Sequence, residues 1–165
     1  MSTFRRADSG QALVELAFVV PVLALMMLGG VEIARVSFAA IEVSNAARAA
    51  AQYGAMNGGA FSSTDSTGLD SAGMLTAARA DAGELGSSVT FTTGFPTESC
   101  KCSGSGTATC GSAPGGCNPP GSQVETTITV ETQATFDPLI YIPLPGWTGG
   151  TFTLHGFDQE QVLPI

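Results

Sequence analysis

GQALVELAFVVPVLALMMLGGV, residues 10–31, is the stretch on which the architecture turns. Ala12 to Val31 is about 20 residues long with one charge, Glu15, and at about 1.5 Å per residue a helix of that length crosses a hydrocarbon core of about 30 Å. Val19 to Leu28 has no polar face, which separates a membrane helix from a buried core helix. Before it come Arg5 and Arg6, and the positive-inside tendency keeps those on the cytoplasmic side. A cleavable secretory signal shares the basic start and the apolar run, with Ala34 or Ala39-Ala40 as its small residues. Two features oppose that reading: the helical pattern does not stop at the membrane edge, and a glycine stands just before the apolar run. Pro21 removes one backbone hydrogen bond and predicts a kink or local loosening, while Gly29-Gly30 allows a second bend or close helix packing.

Past Val31 the helix becomes amphipathic. Ile33, Val36, Ala40, Val43, Ala47 and Ala50 recur at spacings of three and four, with Glu32, Arg35, Glu42, Asn45 and Gln52 on another face. The spacing predicts an unbroken helix to about Tyr53, stopped at Asn57-Gly58-Gly59, whose distal apolar stripe is buried on the protein's own sheet. Four parts follow: residues 1–10 as a leader, 11–31 as the transmembrane helix, 32–56 as a helical stem and 57–165 as a β-rich domain outside the cytoplasm.

In that domain Gly, Ser, Thr and Asp dominate residues 57–69, a connection, and a short helix is expected from Asp70 to Leu85 with Met74, Leu75, Ala78 and Ala82 on one face. Val89 to Phe91 is a short strand candidate. Val124 to Phe136 alternates, with Val124, Thr126, Ile128, Val130, Ala134 and Phe136 on one side and Glu125, Thr127, Thr129, Glu131, Gln133 and Thr135 on the other. Thr151 to Gly156 adds another strand, with Phe152 and Leu154 inward and Val162-Leu163 as an extension. The fold class is therefore α+β: a long N-terminal transmembrane helix whose amphipathic extension packs on an antiparallel sheet of three or four strands.

Pro138, Pro143 and Pro145 interrupt an apolar run, so residues 137–147 form a loop presenting Ile140, Tyr141, Ile142 and Leu144, either to a partner or to the domain's own core. Cys100, Cys102, Cys110 and Cys117 fall in one Gly/Ser-rich stretch, an even count that reads as a loop stapled by two disulfides in an oxidising compartment. Zinc sites use cysteine pairs separated by two to four residues and no such pair occurs here, while Cys100 to Cys102 is the least attractive bridge, leaving nested or crossed pairings.

The net charge is −8, and after residue 56 only Arg79 and Lys101 stand against ten acids. Such a domain repels phosphate backbones, so nucleic acid is no partner. Catalytic sets are not visible either. His155, the only histidine, lies among threonines on a strand, and Asp65, Asp70, Asp81 and Glu84 lack calcium-loop spacing. No enzyme, metal or cofactor is expected.

GQALVE, residues 10–15, resembles the prepilin peptidase signal, in which cleavage follows a glycine and a glutamate is the fifth mature residue. The resemblance implies prepilin peptidase as a partner and a cut between Gly10 and Gln11. More widely, GQALVELA at 10–17, VEIAR at 31–35 and NAARAAAQY at 45–53 resemble the TadE-like family of the tight-adherence pilus system. There an aromatic commonly follows the glutamate; Leu16 here sets the chain further from the major pilin than from the minor subunits. The helix-plus-sheet plan matches pilin-like proteins, and TadE-like proteins often carry cysteines in the corresponding region.

What the resemblance implies is a structural subunit of the inner membrane, its N-terminus cytoplasmic and its domain periplasmic or extracellular. Its partners would be lipid, other pilin-like subunits and membrane pilus-assembly proteins. Glu15 has a physical role in that picture: a carboxylate in the membrane core costs at least ~2.5 to 3.5 kcal/mol unless paired. The new α-amine of Gln11 could neutralise it within one chain, at i, i+4, or between chains, setting register during assembly. Two other readings stand beside the minor pilin, a major filament-forming pilin and a membrane-tethered binding or adhesion module.

Overall fold

The computed structural model describes residues 8–57, 69–103, 124–139 and 150–162. Helix α1 runs from Asp8 to Met56, 49 residues, with Pro21 inside it and no break in the helix there. Its first half is exposed all round, as a lipid-facing helix is, and its second half buries Ala39, Val43, Ala46, Ala47, Ala50 and Ala51. Alanine favours the helix and lets the sheet approach closely.

Helix α2, Ser71–Asp81, begins at a cap that also ties the two helices together. Gly73 N–H donates to Asp70 Oδ1 at 2.9 Å, and the Tyr53 hydroxyl donates to Asp70 Oδ2 at 3.2 Å. The Asp70 hydrogen bond, and secondarily its charge, raises the Tyr53 phenol above its ordinary pKa. Asp70→Ala removes both bonds and is expected to lower stability in urea unfolding by about 1 to 2 kcal/mol, whereas Tyr53→Phe, which leaves the cap intact, lowers it by less.

After a 3-10 turn at Gly83–Leu85 come strands β1 (Thr90–Phe91), β2 (Thr97–Cys102), β3 (Val124–Phe136) and β4 (Phe152–Val162), all antiparallel. β3 is central, with β1 and β2 along one edge and β4 along the other. Its inward residues Ile128, Val130, Thr132, Ala134 and Phe136 are buried, and the core they form with Val43, Ala46 and Ala50 of α1 includes Met74, Ala78 and Val89. The seat of α1 on the sheet is backbone-close: a Cβ at Gly156 would fall on the Val43 carbonyl oxygen, and opposite Gly156 the Thr132 hydroxyl donates to that same oxygen at 2.8 Å.

Three expectations need correction. Cys100 and Cys102 do not belong to a loop; they lie on β2, opposite Thr126 and Val124, because Thr97, Ser99 and Lys101 alternate with Glu98, Cys100 and Cys102 and so fit a half-buried edge. Ile33 is outside the buried stripe, 70% exposed. Conversely, Glu32, Arg35 and Glu42 are partly buried, turned toward the domain that sits on that side of α1. The last strand runs on to Val162 through Asp158 and Glu160. The basic leader residues Arg5 and Arg6, most of the 57–69 connection, Cys110, Cys117, Leu163 and the loop residues Ile140, Tyr141, Ile142 and Leu144 lie outside the described residues.

Candidate functional site

The N-terminal end of α1 holds the residues singled out for processing and assembly. Gly10 lies in the first turn, exposed, with open space where a side chain would be. Next to it, Gln11 Nε2 donates to Glu15 Oε1 at 3.3 Å across an i, i+4 spacing. Around them Leu13, Leu16 and Phe18 are all more than half exposed. Among the described residues α1 is the one helix long and apolar enough to cross a membrane, and its most apolar window has nothing buried.

At the other end of the apolar span is a cluster that sequence reasoning missed. Arg35 Nη1 lies 3.1 Å from Glu32 Oε2, and its guanidinium sits 5.2 Å from the centre of the Phe136 ring. Glu32 Oε1 accepts the Leu139 backbone N–H at 3.1 Å, and Phe136 packs on Phe152 with ring centres 5.2 Å apart. One ion pair therefore neutralises itself where the span ends and clamps the tip of the sheet to α1, so the domain begins directly above the apolar span. The available signal was the i, i+3 spacing of Glu32 and Arg35; nothing local announced that Phe136 would meet them.

The cysteines form a second location, remote from the first. Cys100 is partly buried and Cys102 buried, both on the helix-facing side of β2, and neither is a free thiol. Beside them burial pushes the Glu98 carboxyl above the usual range. His155 is exposed on β4, its Nδ1 3.0 Å from Glu131 Oε1.

Residues 10–52 match the family model described as TadE-like protein. This helical segment is TadE-like. The match spans nearly all of α1 and stops before α2 and the sheet. No curated protein and no solved structure matches the chain. The TadE-like segment therefore contains Gly10, Gln11, Glu15, Glu32, Arg35 and the Val43 contact, whereas the cysteines, Thr132 and Gly156 belong to a domain outside the match.

Proposed function

We propose that this chain is a TadE-like minor pilin, a structural subunit that takes part in assembling a tight-adherence type IV pilus. Prepilin peptidase cuts it between Gly10 and Gln11. The mature chain stays in the cytoplasmic membrane through residues 11–31, with its domain on the far side, and works by helix packing and charge neutralisation without catalysis. The observation that carries this reading is the placement of Glu15, the one acid in the exposed apolar span 11–31, five residues after an exposed glycine in the helix's first turn. Cutting there converts Gln11 into an amine within a turn of a carboxylate that needs a cation.

Two disulfides support the domain in this reading. Residues two apart on a strand have Cα atoms separated by about 6.8 Å, at the limit a disulfide spans, so Cys100 and Cys102 each bond to Cys110 or Cys117. Each bridge adds about 2 to 4 kcal/mol.

The test is intact-mass and N-terminal analysis of the membrane-extracted protein, made in a host with its prepilin peptidase. A mature terminus at Gln11 is expected, lost entirely in Gly10→Val. A terminus at Met1 overturns the reading in favour of a tethered binding module, and one beyond Val31 would mean that the apolar helix is a secretory signal.

A further inference from the structure

The outer face of α1 stays apolar for longer than a bilayer requires. Ala12 to Ile41 is about 45 Å of helix against about 30 Å of hydrocarbon. The surplus turns Ile33, 70% exposed, and Ile41, 57% exposed, away from the protein's own sheet. With Ser37, Ser44 and Arg48, at spacings of three and four, they make one exposed stripe. Arg48 has no hydrogen bond or ion pair among the described residues, so the stripe ends in an uncompensated positive charge.

A second surface complements it. Between α1 and the end of the domain nearest the membrane lies an open groove of about 670 Å³, with Val31, Phe38, Leu85 and Phe136 as apolar walls and Glu42, Glu84 and Asp137 among its lining. Arg35 also lines the groove but is held by Glu32, so the three acids leave it a negative excess. Val31, Phe38 and Glu42 are about 120° around the helix from the stripe. Stripe and groove are thus different surfaces of one molecule, opposite in charge, the stripe offering Ile33 and Ile41 and the groove its apolar walls.

We propose that the groove receives the stripe of a second copy of the chain, with that copy's Arg48 against Glu42, Glu84 and Asp137. Bringing Arg48 level with Glu42 offsets parallel helices by six residues, about 9 Å. This step rests on the pilin reading, in which the helices of neighbouring copies lie parallel in one membrane. Because the two surfaces are not the same patch, the contact is head-to-tail and can repeat without closing.

The full-length chain, in native membranes, is made with a photo-cross-linking phenylalanine analogue at Ile41. The expected product is a homodimer whose cross-link maps to residues 31–42, 84–85 or 135–137 of the other copy. Arg48→Glu is expected to lower its yield about five- to tenfold with the urea midpoint unchanged, and Arg48→Glu with Glu84→Arg on the same chain to restore it. A yield indifferent to Arg48→Glu, or cross-links only to lipid or to a different protein, overturns the proposal. Processing at Gly10 without this dimer removes the interface and leaves the pilin reading standing; the dimer with an uncut Met1 terminus does the reverse.

Discussion

Gly156→Val is expected to unseat α1 from the sheet, lowering the stability of the distal domain by at least about 3 kcal/mol or preventing its folding. The residue is buried, and a Cβ there meets the Val43 carbonyl and, at 2.9 Å, the Ser44 Cα, both helix backbone atoms with no rotamer by which to yield. Relief requires α1 to move outward. That movement breaks the 2.8 Å bond from Thr132 to Val43, leaving a buried hydroxyl unpaired, and uncovers Val43, Ala46 and Ala47. Limited proteolysis of membranes holding the full chain would read the loss as rapid removal of the domain, with the helix retained. Gly30→Ala is the control: it meets nothing within 4 Å, lies in a helix, and is expected to leave the proteolysis pattern unchanged. A Gly156→Val protein as resistant as the parent would mean that α1 does not seat at this point.

Glu15→Leu is expected to separate two properties that ordinarily fail together. Replacing an acid in an apolar span makes membrane insertion more favourable, by up to about 3 kcal/mol if the residue lies at the bilayer centre and by less toward the interface. Under the proposed function the same change abolishes incorporation into the pilus, because the Gln11 amine of a neighbouring chain loses its counter-charge. Carbonate-resistant membrane protein should be undiminished, the terminus should still be Gln11, and the subunit should be missing from sheared pili. Glu15→Asp, which keeps the charge on a shorter side chain, should restore part of the incorporation. Incorporation of Glu15→Leu at the parent level would remove Glu15 from the mechanism.

Long-period patterns in the chain were sufficient for its largest elements. About twenty apolar residues with a single charge, then spacings of three and four, led to one helix, observed over 49 residues as α1. The alternation of Val124 to Phe136 led to β3 with Ile128, Val130, Ala134 and Phe136 buried as expected. Shorter signals failed for a physical reason. β2 has six residues, among them two cysteines whose spacing resembles a stapled loop, and an edge strand is held by hydrogen bonds to its neighbour more than by any pattern of its own. Thr132 falls in the inward register of β3, yet its type gave no hint that it would be the buried polar residue of the interface.

The sequence by itself determined the membrane-length helix and the placement of Gly10, Gln11 and Glu15 near its start, because each rests on neighbours along one helix. Only the tertiary structure decided which side of α1 the domain takes. The helix beyond Val31 has apolar residues on more than one side, and the choice fell to the place where Gly156 lets two backbones meet and Thr132 satisfies the Val43 carbonyl. With that side taken, Glu32, Arg35 and Glu42 turn inward toward Phe136 and the groove, and Ile33, Ile41 and Arg48 are left facing out. Helical periodicity reports that a face exists; what covers it depends on contacts between residues about a hundred positions apart, such as Val43 with Thr132 and Gly156, which no local pattern encodes.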